Sequence, residues 1–130
     1  LKKQSRKNII KKLDEVFSQY IRLRNTDAYG NTECFTCGKK DHWKKLQCGH
    51  FQSRKHYATR WDEINCQVQC SACNVFRYGE QYIFGINLDK QYGEDTATKL
   101  NQASKQIVKL SNEDLLDKIE HYKIIVKRLS

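Results

Sequence analysis

Cys34-x-x-Cys37 and Cys70-x-x-Cys73 form two matched pairs. Two intervening residues let both thiolates of a pair face one side of a tight turn. Two such turns complete a tetrahedron around Zn²⁺, with Zn–S distances of about 2.3 Å. Gly38, directly after the first pair, relieves crowding at the turn. A thioredoxin-like redox site would need a single pair opening a helix after a strand, not two pairs. The spacing therefore predicts a structural zinc, whose ligation supplies folding free energy that a small core cannot.

The stretch between the pairs is too long for an ordinary finger loop. It holds His50 and Asn65, and Asn74 follows directly after Cys73. Each has a plain reading when taken alone: a histidine in a strand is usually a satisfied core residue, and an asparagine after a knuckle is often only a helix cap. A strand, loop, strand and helix in that order would bring all three together. Cys48 and Cys66 are left over on predicted strands, where small buried hydrophobes are their expected role. A second metal site built with His50 would need ligands that the spacing does not identify.

The elements that must position these residues follow from periodicity. Ile9, Ile10, Leu13, Val16, Phe17, Tyr20 and Ile21 have helical spacing, with Lys and Arg on the other face. Asn25, Asp27, Gly30 and Asn31 break that helix, and residues 32–44 read as a loop around the first knuckle. Residues 46–51 and 64–69 read as short strands, with a polar, basic loop over 52–60 between them. A helix is expected from near Ser71 through Tyr78, another around Tyr82 to Ile86, and a third over residues 94–110 after Tyr92-Gly93. Ser111 and Asp114 resemble a capping box. Leu115, Ile119, Tyr122, Val126 and Leu129 then repeat every three or four residues, a stripe that faces either the core or, alternatively, a dimer seam.

Composition bounds the partner. The 130 residues carry a formal net charge of +9, and such an excess implies an anionic partner, most commonly nucleic acid. Residues 1–24 carry eight Lys/Arg against Asp14 and Glu15, and residues 39–60 carry seven against Asp41; residues 61–100 carry three against six carboxylates. The basic excess thus flanks the cysteine-rich centre. No apolar run is long enough for a membrane span, and the basic start lacks the apolar core of a signal peptide. A cytosolic location is expected, where six cysteines point to metal rather than disulfides.

The order His50, then Asn65-x4-Cys70-x-x-Cys73-Asn74, resembles the HNH family of ββα-metal (His-Me finger) nucleases. The four-cysteine pattern is similar to that of phage endonuclease VII, a Holliday-junction resolvase. A likeness spanning nearly the whole chain is to the phage NinG/Rap recombination nucleases. It rests on Phe17-Ser18-Gln19-Tyr20-Ile21-Arg22-Leu23-Arg24, Cys34-Phe35-Thr36-Cys37-Gly38, Cys48-Gly49-His50-Phe51-Gln52-Ser53-Arg54 and Thr59-Arg60-Trp61.

The resemblance implies an α+β fold: a zinc-stapled ββα-metal core over residues 30–80, an N-terminal helix within 1–29 and a C-terminal helical region over 81–130, all in one domain. It implies a divalent-metal-dependent DNA endonuclease, a hydrolase acting on branched recombination intermediates such as Holliday junctions, in a phage-infected or prophage-bearing cell. His50 would be the general base. Asn74 would hold a catalytic Mg²⁺ or Mn²⁺ through its amide oxygen. Asn65 would bond loop backbone and fix His50, and Arg54 and Arg60 would clamp the phosphate. Arg22, Arg24, Lys44, Lys45 and Lys55 would join those arginines in binding DNA, and a homodimer through the C-terminal helices would supply two cuts. Many HNH enzymes carry an acidic metal ligand just before the histidine; here that residue is Gly49. His56, Asp62 and Glu80 are the candidate substitutes. A non-catalytic zinc DNA-binding module and a nicking, homing or restriction-type HNH enzyme stay open beside this reading. Aromatic stacking on a base is a further option for His42, Trp43 and Trp61, against packing around the zinc.

Overall fold

The computed structural model describes residues 4–130. Helix α1 spans Arg6–Leu23, and its start is fixed by Ser5, whose hydroxyl accepts the Asn8 N–H at 3.2 Å. One face buries Ile9, Leu13, Val16, Phe17 and Ile21. The last helix of the chain, Asn112–Leu129, opens with the expected capping box: Asp114 N–H donates to Ser111 Oγ, and Ser111 N–H to the Asp114 carboxylate. Leu115, Ile119 and Tyr122 pack against α1, with Tyr122 edge-on to Phe17 at 4.9 Å between ring centres. The two ends of the chain therefore share one core, and each fully buried aliphatic there contributes roughly 1.5–3 kcal/mol. The first half of the C-terminal stripe is thus spent on α1, while Leu129 at its end is exposed. Glu63 fastens the helix pair to the centre, accepting from Tyr20 Oη at 2.7 Å and Tyr122 Oη at 3.0 Å.

Between these helices lie two antiparallel strand pairs. Strands β1 (Asn31–Glu33) and β2 (Lys40–His42) pair Thr32 with Asp41 and enclose the first knuckle. The loop expected over 32–44 is thus a hairpin, closed where Cys34 N–H donates to Lys39 O and Gly38 N–H to Cys34 O, with Gly38 at φ +77°. Its strands are polar and three residues long, so no alternation announced them. Strand β3 (Gln47–His50) pairs with β4 (Cys66–Gln69) in a register that sets His50 opposite Cys66. All four β4 residues are buried, and α1 packs against β3 and β4.

The basic loop between β3 and β4 contains a short helix, α2 (Tyr57–Arg60), where only loop was expected. After β4 the second knuckle winds into a π-type turn over Ala72–Phe76. The helix expected through Tyr78 ends earlier, because Tyr78, Gly79 and Glu80 all take left-handed φ values of 54°, 88° and 50°. Helix α3 (Gln81–Tyr92) ends at Gly93, φ +115°, and α4 (Thr96–Ser104) follows. The helix expected to reach residue 110 stops at Ser104; Ile107 is 92% exposed, so continuing it would bury no apolar face there. Phe84, Leu88 and Leu100 make a second core with Phe35 and Phe51. Helix α5 is then the Asn112–Leu129 helix already described.

The result is the expected α+β mixture of helices and small sheets. Among the described residues no helix is long and apolar enough to cross a membrane. Trp61 belongs to the α1–α5 core rather than to the zinc shell. Because Leu115 is fully buried at the α1–α5 contact, Leu115→Ala is expected to cost about 2–5 kcal/mol in denaturant unfolding; a loss under about 1 kcal/mol would mean the helices do not share a core.

Candidate functional site

The four knuckle sulfurs lie within 4.8 Å of one another. Cys37 Sγ and Cys70 Sγ are 3.7 Å apart, far beyond a disulfide bond of about 2.05 Å. A tetrahedron with Zn–S distances of about 2.3 Å has sulfur–sulfur edges of about 3.8 Å. The donor set is soft, compact and three-quarters buried, so it fits a structural Zn²⁺. Local titration points the same way. Burial, and then the neighbouring sulfurs, push the Cys37 thiol up to about 12. Cys34 sits at about 6: burial opposes its ionisation, but the Thr36 hydroxyl and the backbone N–H groups of Cys70, Cys37 and Thr36 outweigh it. Holding four adjacent thiolates requires a cation.

This centre joins the β1–β2 hairpin to the end of β4, since Phe35 N–H donates to Val68 O at 2.8 Å. Beside it, β3, α1 and the turn after the second knuckle enclose an open cleft of about 670 Å³, whose lining includes Asp14, Arg22, His50, Arg54, Asn74 and Tyr78. Two of the three predicted polar residues, His50 and Asn74, thus face one space. His50 Nε2 lies 3.0 Å from the carbonyl oxygen of Arg60. A carbonyl only accepts, so Nε2 bears the hydrogen and Nδ1 keeps its lone pair. Burial lowers the His50 pKa below its ordinary 6.5, with the Arg54 and Arg60 charges adding to the shift and the Arg60 carbonyl and Asp14 opposing it. The ring is neutral at pH 7 and able to take a proton at Nδ1.

Asn65 is fully buried and does not reach the cleft. Its Nδ2 donates to Gln52 O at 3.1 Å and Thr59 O at 3.0 Å, while its Oδ1 accepts from Gln52 N–H at 2.8 Å. These bonds tie the start and the middle of the 51–65 loop to the residue that leads into β4, and that loop carries the carbonyl that grips His50. Asn74 Nδ2 donates to Gln47 Oε1 at 2.8 Å, which leaves the amide oxygen as a hard donor suited to Mg²⁺ or Mn²⁺.

The arginines divide. Arg60 spends its guanidinium on Asp14, with Nε to Oδ1 at 3.1 Å and a terminal nitrogen to Oδ2 at 2.6 Å, and its other terminal nitrogen on Arg54 O at 2.9 Å. In this arrangement its forked donors, expected to clamp a phosphate, are bonded within the protein. Arg24 likewise bonds within the protein, to Glu63 O, Cys66 O and the Gln67 amide oxygen. Arg22 is half-buried in the cleft wall against the Trp43 ring. Arg54 keeps 63% of its side chain exposed, 3.8 Å from Asp14. Lys44, Lys45 and Lys55 are exposed.

Asp14 is the residue the sequence reading passed over. It anchors Arg60 and also accepts from Trp61 Nε1 at 2.9 Å. Its only signal was its sign, as one of two acids in the basic first helix. Gln47, which orients Asn74, had none. Of the substitutes considered for the missing acid, His56, Asp62 and Glu80, none lines the cleft; Asp62 caps the turn before β4 through the Ile64 and Asn65 N–H groups. Gly49 itself has a steric cause. A Cβ there would stand 1.8 Å from Gln69 Oε1, and Gln69 is buried and held by bonds to Thr36 and Gly79.

Two outcomes are expected. The purified chain should retain one zinc by elemental analysis, and Cys73→Ser should lose both the metal and cooperative unfolding. Retention of a folded, metal-free Cys73→Ser chain would refute the structural role. Asp14→Asn should destabilise the chain by on the order of 2 kcal/mol, the scale of hydrogen bonds to a charged group, measured by denaturant unfolding; no change would mean that Arg60 has an equivalent anchor elsewhere.

A family model described as "NinG: Bacteriophage Lambda NinG protein" matches residues 1–130. No curated protein and no solved structure matches the chain. Since the match runs the whole length, the chain belongs to the NinG family of bacteriophage lambda.

Proposed function

We propose that this protein is a divalent-metal-dependent DNA endonuclease of HNH type, with β3, β4 and the turn after the second knuckle as its ββα-metal core. One observation carries the reading: His50 and Asn74 line a single cleft, and His50 has its Nε2–H tied to backbone with Nδ1 free. Membership of a phage family and the basic residues flanking the centre support DNA as the substrate.

The residues divide the work of phosphodiester hydrolysis. Nδ1 of His50 takes the proton of the attacking water. The Arg60 carbonyl holds the ring in the tautomer that permits this, and Asn65 holds the loop that bears the carbonyl. The Arg54 guanidinium, exposed at the cleft, donates to the non-bridging phosphate oxygens. A Mg²⁺ or Mn²⁺ held through the Asn74 amide oxygen and the DNA phosphate would neutralise charge on the phosphorane and the departing 3′-oxygen. With Gly49 in place of an acid, protein ligation is sparse, and the cation is expected to bind detectably only when DNA is present.

Exposed aromatic side chains near the second knuckle support branched DNA as substrate. Phe76, Tyr78 and Tyr82 are 77%, 89% and 81% exposed, and Tyr78 lines the cleft itself. Exposed aromatic faces stack on bases, each worth roughly 1–3 kcal/mol, and base faces are more readily uncovered at a branch point than within a continuous duplex. Coordinated cutting of both strands would need a second copy of the chain.

Cleavage of a four-way junction and of a linear duplex in Mg²⁺ tests the reading. His50→Ala is expected to slow junction cleavage at least about 100-fold, the usual weight of a general base. Unchanged cleavage would remove His50 from the chemistry, and junction binding by the native chain without any cutting would favour a zinc DNA-binding module. Because the base must be unprotonated and its pKa is lowered, the midpoint of the acid-side rate loss should fall below the ordinary imidazole value of about 6.5; a midpoint above about 7 would contradict the assignment.

A further inference from the structure

We infer that Cys48, His50 and Cys66 form a second metal site, selective for thiophilic cations such as Zn²⁺ and Cd²⁺ and separate from the four-cysteine centre. Cys48 and His50 are two residues apart on β3 and share one face of the sheet, and Cys66 stands opposite His50 in the β3–β4 register. One face thereby presents two thiols and an imidazole, with ligand atoms that all lie within 4.8 Å of one another. Two of them sit side by side: Cys66 Sγ is 3.4 Å from Arg60 O, the same carbonyl that accepts from His50 Nε2 at 3.0 Å, so Nδ1 is the ring atom left to ligate.

Three soft or borderline donors at this spacing suit a tetrahedral cation with one position left over. That position has an outlet, because Cys48 and His50 both line the cleft while Cys66 is wholly buried behind them. The inner wall is apolar, since Cys66 belongs to the α1–α5 core and Cys48 packs against it, while the cleft side is polar. Such a shell disfavours hard, strongly hydrated ions and retains soft ones. Binding replaces the two thiol protons, which pass to the buffer. Where the proposed function holds, the same event takes the His50 imidazole away from water activation, so zinc beyond the structural equivalent inhibits cleavage. That consequence rests on the nuclease reading; the binding itself does not.

The test is the zinc stoichiometry of the folded chain, read by competition with a chromophoric chelator. The native protein is expected to bind two equivalents, one resistant to the chelator and one exchanging with it. Cys48→Ala with Cys66→Val should bind only the resistant one, and His50→Ala should weaken the exchanging equivalent at least about tenfold, as the loss of one ligating group requires. A native chain that takes up a single zinc overturns the inference, as does a double variant that keeps the exchanging equivalent. Should the double variant fail to fold, Cys48→Ser, at the half-buried position, serves instead: loss of the second equivalent supports the site and its retention with unchanged affinity refutes it. None of these readouts depends on DNA cleavage. In cleavage assays, the native enzyme should lose activity in excess Zn²⁺ that the Cys48→Ala, Cys66→Val variant keeps.

Discussion

Four sulfurs held within 4.8 Å of one another are tolerable as thiolates only around a cation, because neither burial nor the surrounding hydrogen bonds can stabilise four adjacent negative charges. Much of the molecule's centre depends on that requirement. The first knuckle is the turn of the β1–β2 hairpin, and the second is the exit from β4. Their meeting fixes the end of β4, and through the strand register it fixes the position of β3 and His50. It also fixes the turn on which Asn74 is carried. A chain with so few strand residues has no extended sheet to do this work.

A second constraint acts from the helices. Asp14 on α1 fastens Arg60 and Trp61, which lie at the end of α2 and just beyond it, and the carbonyl of Arg60 in turn holds the His50 ring. The cleft is therefore bounded on one side by the four-cysteine centre and on the other by the α1–α5 core. The proposed chemistry occupies the gap between two rigid parts rather than the surface of either. Such a placement holds a base and a metal donor at fixed positions while leaving the space between them open to DNA.

The elements legible in the sequence were those with strong local signals: the apolar period of α1 and α5, the Ser111–Asp114 box, the two Cys-x-x-Cys turns and the short apolar strand around Val68. The β1–β2 hairpin was hidden because its strands are polar and only three residues long. The early stop after Phe76 was hidden because two of its three left-handed residues are Tyr78 and Glu80, not glycine. At the site, residue type and spacing pointed to His50 and Asn74 but could not reveal Asp14 or Gln47, which matter through what they touch. Nor could spacing reveal that Asp14, far away in sequence, holds the Arg60 guanidinium. The convergence of Cys48 and Cys66 on His50 likewise needed the strand register before it could be seen.

The central claim is that the four-cysteine metal is structural and that the chemistry belongs to a different cation in the adjoining cleft. Anomalous scattering from crystals of the chain bound to an uncleavable junction in Mn²⁺ tests it most directly. The account expects a zinc signal among Cys34, Cys37, Cys70 and Cys73, and a separate manganese signal between the Asn74 side chain and a DNA phosphate near His50. A phosphate seated at the cysteine cluster, or manganese bound away from Asn74, would contradict it.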